Sequence, residues 1–114
     1  MDPECPFCRI VAGEVPAEIV HESEHAIGFR DLEPQAPTHV LVIPRTHVPD
    51  LASLARADAD AVVGLTRAIA DVADAEGLGE GYRTVFNTGA QAHQTVFHCH
   101  GHVLGGRPMR WPPG

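Results

Sequence analysis

The sequence predicts a single α+β domain, an antiparallel five-stranded meander sheet with one long and one short helix. Three observations lead there. With 114 residues the chain can build one modest core but not two. Five short stretches rich in β-branched and apolar residues read as strands, and only residues 58–76 keep a helical period over several turns. The strands come in runs on either side of that helix rather than alternating with helices, which favours antiparallel pairing.

Pro6 suits the first turn of a helix and Gly13 its end, so residues 6–12 form the short helix. Residues 18–22 and 26–30 pair as strands around Ser23-Glu24-His25, with His21 and His25 as solvated edge or turn residues. The prolines of 31–37 enforce a loop, and 38–43 is a strand that stops at Pro44. In 58–76 the residues Val62, Leu65, Ile69, Val72 and Ala73 recur at helical spacing, opposite Asp60, Arg67, Asp71 and Asp74. Asp58 is the N-cap and Gly77 the stop. Residues 82–87 form a strand, 88–93 a loop of small residues, and the fifth strand carries His98-Cys99-His100-Gly101-His102. Gly105-Gly106 ends it, and 107–114 is an irregular tail.

Composition excludes several classes. The start lacks the charge and apolar pattern of a secretory signal, and no apolar run approaches the ~20 residues of a membrane span. Three cysteines make a poor disulfide framework, so the expected location is the cytoplasm, with no membrane partner. A net charge of −7 argues against a nucleic-acid partner. All 15 acidic residues lie at or before Glu80; Arg83, Arg107 and Arg110 follow with no acid at all. The histidine strand thus lies in a stretch suited to an anion such as phosphate. There is no lysine for a Schiff base or phosphate loop, and neither Ser23 nor Ser53 sits in a nucleophile elbow.

The histidines carry the chemistry. On a strand, residues i, i+2 and i+4 share a face, so three imidazoles that repel when protonated are crowded onto one side. Two chemistries fit them. A His₃ site can hold catalytic zinc with an open water position. Alternatively, a neutral imidazole attacks an electrophile while a neighbour handles the proton. Cys5-Pro6-Phe7-Cys8 reads as half a zinc site, or as two inert thiols; no βαβ unit follows to make it a redox dithiol.

The run Gln94-Thr95-Val96-Phe97-His98-Cys99-His100-Gly101-His102-Val103-Leu104-Gly105-Gly106 resembles the His-φ-His-φ-His-φ-φ signature of the histidine triad (HIT) family. Asp31-Leu32, Pro34-Gln35-Ala36-Pro37-Thr38-His39, Leu41-Val42-Ile43-Pro44 and the ending Arg107-Pro108-Met109-Arg110-Trp111-Pro112-Pro113-Gly114 resemble its Hint branch. The similarity runs from about Cys5 to the last residue. It implies one HIT domain over 1–114, with a Cys-x-x-Cys turn at 1–13 and a tail at 105–114.

The resemblance implies a homodimeric purine nucleoside phosphoramidase. His100 matches the nucleophile, His98 the residue whose carbonyl fixes its tautomer, His102 the contact to phosphate and leaving amine, and His39 a supporting histidine. Asp31 matches the ribose ligand, Leu32 the base contact, Asn87 and Thr95 the phosphate and leaving-group side chains, and Trp111 a tail residue that reaches the partner's site. Relatives with this Cys-x-x-Cys hold structural zinc, here matching Cys5, Cys8, His47 and His98; catalysis needs no cofactor. A dinucleoside polyphosphate hydrolase, a nucleotidyl transferase and a nucleotide-sensing module are the alternatives. Three positions depart from the pattern. Gly101 replaces a bulky apolar residue and is expected to leave a hole behind the strand. His93 stands for a small Gly at the rim of the substrate site, and Thr95 for Ser.

Overall fold

The computed structural model describes residues 2–114. Its strands are β1 (Ile19–Glu22), β2 (Ala26–Arg30), β3 (Thr38–Pro44), β4 (Tyr82–Phe86) and β5 (Gly101–Gly105), and its helices are α1 (Pro6–Val11), α2 (Leu51–Ala57) and α3 (Ala59–Ala75). The five strands form one sheet with every neighbouring pair antiparallel, in the order β1-β2-β3-β5-β4. The histidine strand therefore lies inside the sheet, between β3 and β4, while β4 is an edge.

α3 starts where expected: the Asp58 side chain accepts the Ala61 N–H at 3.1 Å. It also ends where expected. Gly77 has φ +73°, and the Leu78 N–H reaches back to the Ala73 carbonyl at 3.0 Å, as in a Schellman cap. α2 is an element that sequence pattern left unassigned. Seven residues with only Leu51 and Leu54 turned inward show too little period. Asp50 caps α2 through the Ser53 N–H, and Asp58 closes it while opening α3.

The sheet has two covered faces. On one, Leu65, Ala68, Ile69 and Val72 of α3 pack on Val40, Val42 and Val103. On the other, Phe7 and Cys8 of α1 cover Ile27, Phe29, Leu41 and Ile43. Arg30 ties the layers together, with Glu18 at 2.8 Å and Glu76 at 2.7 Å. His21 is not the solvated edge residue expected: it fills the space over Gly28 beside Val72, and its Nε2 is buried without a partner. His25 likewise covers Gly64 of α3 rather than facing solvent. No described helix is long and apolar enough to cross a membrane.

A candidate active site and metal corner

Only His102 of the three histidines lies within β5; His98 and His100 precede it. The expected strand begins later because its neighbours run out. Gly101 pairs with Val42 and Phe86 at the end of each ladder, and β3 ends at Pro44, which has no N–H to offer. The 45–50 loop takes over: the Cys99 N–H donates to the Val48 carbonyl at 2.7 Å. His98, His100 and His102 still share the sheet face opposite α3, but each has its own partner.

Those partners assign the protons of the neutral rings. His100 Nδ1 lies 2.7 Å from the His98 carbonyl oxygen, which only accepts, so Nδ1 carries the hydrogen and Nε2 a free lone pair. His98 Nε2 lies 2.9 Å from the Pro44 carbonyl, so its hydrogen is on Nε2 and its lone pair on Nδ1. The Gln35 N–H donates to His39 Nδ1 at 3.0 Å, which puts the His39 hydrogen on Nε2, 2.9 Å from His102 Nδ1. His102 thereby accepts on Nδ1 and presents Nε2–H. The His100 and His102 rings are 5.0 Å apart, so a lone pair and an N–H stand side by side.

Asp31 approaches His39 Nε2 at 3.5 Å. The histidine cluster is thus not cleared of carboxylates in space, although it is in sequence; the 31–37 loop brings one back. Asp31, His39 and His102 gather ligand atoms within 4.8 Å of one another. The Gln35 hydrogen bond keeps a proton on the His39 nitrogen that would have to coordinate, which disfavours a cation there.

Burial pushes the His39 and His98 rings below the ordinary imidazole range. His102 is lowered to about 4, first by burial and then by the neighbouring His100 and His39. The site therefore holds these rings uncharged at neutral pH. Cys99, pushed up to about 12 mainly by burial, is an inert core thiol.

A second cluster lies behind the triad. Cys5 Sγ is 3.5 Å and Cys8 Sγ 3.6 Å from His98 Nδ1, with His47 Nδ1 3.1 Å from the same atom and 3.2 Å from Cys8 Sγ. A tetrahedral cation bound at about 2.0–2.3 Å separates its ligands by roughly 3.3–3.8 Å. The His98 lone pair points into this corner, and both thiols are buried and free of disulfides. The donor set fits zinc.

The remaining expected site residues make no hydrogen bond to the triad. Leu32 is 97% exposed beside Asp31, Trp111 is 83% exposed in the tail, and Thr95 is exposed. Asn87 is half-buried just beyond β4. His93 is the one described non-glycine residue with positive φ, +67°, a conformation that glycine adopts more readily. Gly101 leaves no hole: a Cβ there would lie 2.6 Å from Cζ of Phe86, whose ring fills the space. Gln94 is a structural residue that the histidine motif does not reveal. It is buried, accepts the Gly89 N–H at 2.8 Å and donates to the Pro49 and Val96 carbonyls, bracing the loop before the triad. A buried amide of this kind leaves no trace in sequence pattern. A cleft of about 790 Å³ beside the tail, lined by Leu78, Tyr82, Arg83, Arg107 and Met109 among others, includes none of the triad.

The HIT domain model matches residues 12–109. The chain belongs to the HIT family. An uncharacterized HIT-like protein of Synechococcus elongatus is 47% identical over 115 residues, covering 100% of both chains. Among solved structures, a HIT family hydrolase from Legionella pneumophila is 44% identical, with TM-score 0.92 over 97% of this chain and 100% of that one. A histidine triad nucleotide-binding protein from Candida albicans is 30% identical, with TM-score 0.83 over 96% and 83%. This HIT protein thus has the family's five-stranded sheet.

Proposed function

We propose that this HIT protein is a purine nucleoside phosphoramidate hydrolase acting through a nucleotidyl-histidine intermediate. One observation carries the reading: the 2.7 Å contact of His100 Nδ1 to the His98 carbonyl selects the neutral tautomer whose lone pair is on Nε2, the nitrogen left for nucleophilic attack. In the first step His100 Nε2 forms a bond to phosphorus and the P–N bond breaks, the departing nitrogen accepting a hydrogen bond from His102 Nε2–H and taking its proton from a water molecule. In the second, the hydroxide so formed attacks phosphorus and the bond to His100 breaks. His39 holds His102 in the required tautomer. Asp31 receives the ribose hydroxyls, Leu32 the purine, and Asn87 and Thr95 the phosphate and leaving group. The similarity to a HIT family hydrolase and to a histidine triad nucleotide-binding protein supports this class.

Cys5, Cys8, His47 and His98 would hold a structural zinc ion, which supplies cross-linking of the N-terminal segment and no chemistry to the substrate. A homodimer is supported by the uncovered edge of β4, where Tyr82 is 43% exposed, and by the exposed Trp111. Three free thiols agree with a cytoplasmic setting.

Mass spectrometry of a quenched turnover mixture with an adenosine 5′-phosphoramidate tests the proposal. An adduct of one adenylyl group on His100, absent from His100→Gly, is the expected result. Undiminished turnover by His100→Gly would refute it.

A further inference from the structure

We infer that the Cys5–Cys8–His47–His98 corner is a positioning site for His100, and that metal held there orders the nucleophile. His98 takes part in both places. Its ring turns Nδ1 to the corner and fixes Nε2–H on Pro44, while its main-chain carbonyl receives the His100 Nδ1–H. The residue is fully buried, so the ring has no free space into which to swing without moving that carbonyl. A second route runs through Phe7, which α1 carries between the two cysteines. Its ring stands edge-on to His98 at 5.9 Å and to His100 at 5.0 Å. A six-residue helix has little stability of its own, so α1 sits where its anchors hold it. Its buried anchors are Cys5, Cys8 and Phe7, with Ile10 and Val11 packed half-buried beside them. Releasing the corner therefore loosens the carbonyl that orients the His100 ring and the aromatic wall beside it together.

The effect on turnover rests on the phosphoramidase reading; the ordering of the ring does not. The test is NMR of the His100 imidazole in the full-length protein, zinc-loaded and after chelation, with no nucleotide present. In the zinc-loaded form the Nδ1 proton, held by the His98 carbonyl, is expected as a sharp, slowly exchanging downfield signal. After chelation, and in Cys8→Ser, it should broaden or exchange at least several-fold faster. Phe7→Leu keeps all four metal-binding side chains and should broaden the same signal with zinc still bound, which covers the case in which the metal-free chain loses its fold. An identical His100 signal in the zinc-loaded, folded metal-free and Phe7→Leu proteins would overturn the inference. Kinetics on the same samples should show kcat falling with KM little changed. No turnover in any sample, with the zinc-dependent signal intact, would count against the phosphoramidase reading and leave the coupling standing.

Discussion

His39 Nε2 lies 2.9 Å from His102 Nδ1, and the opposite nitrogen of His39 is occupied by the Gln35 N–H. A main-chain donor in a proline-rich loop thus dictates, through one intermediate ring, which nitrogen of His102 carries the hydrogen. Replacing His39 by Leu frees His102 to take the other tautomer. Loss of one buried hydrogen bond is worth about 1–3 kcal/mol, or roughly a 5- to 150-fold fall in kcat. Steady-state kinetics of His39→Leu with an adenosine phosphoramidate checks this, with KM expected to change much less.

Acid should destabilise the fold through His102. Its ring falls from 6.5 in the free state to about 4 in the folded protein, so between those values the unfolded chain binds more protons. Stability is therefore full above about pH 6.5, declines as the pH falls toward 4, and levels off below. The half-buried ring contributes on the order of 2 kcal/mol to that decline after allowing for solvent screening. Urea denaturation at pH 7 and pH 4.5 should show a smaller difference for His102→Asn than for the unaltered protein.

Gly101→Ala should destabilise the protein by about 1–3 kcal/mol, because the new methyl meets the Phe86 ring in a filled space. Phe86→Leu in the same chain should restore part of the loss. A double-mutant cycle measured by chemical denaturation would show a favourable coupling; simple additivity would mean that the two positions do not touch.

Elemental analysis of purified protein should find about one zinc per protomer, and almost none in Cys8→Ser. Removing a structural ion removes binding free energy that stabilises the folded state. Chelation should lower the melting temperature of the unaltered protein and leave that of Cys8→Ser unchanged.

Gln94→Ala should loosen the loop that carries Thr95, since it removes three hydrogen bonds, two of them to carbonyls that would lose this donor. Faster amide exchange at Gly89 and raised KM are the expected readouts. Exchange equal to that of the unaltered protein would show that the backbone holds this loop unaided.

Local pattern made much of this protein legible. The period of Leu65, Ile69 and Val72 marked α3, the β-branched and apolar run of 38–43 bounded by prolines marked β3, and the spacing of His98, His100 and His102 marked the site. These are signals carried by neighbours a few residues apart, and they survive in one dimension. α2 is not legible because seven residues are too few to show a period, and β5 is shorter than the histidine spacing suggests because a strand ends where its partners end, which no single segment records.

The chain alone determined which side chains were available: three histidines two apart, two cysteines three apart, and no lysine. Tertiary structure decided what each would do. It turned the His98 ring to Cys5 and Cys8, brought Asp31 back to an acid-free cluster, filled the space beside Gly101 with Phe86, and set the triad protons, those of His98 and His100 by main-chain carbonyls and that of His102 by the His39 ring that the Gln35 amide orients. Tautomer and ligand identity depend on distances of about 3 Å between groups up to 93 residues apart, and only the packed fold sets those distances.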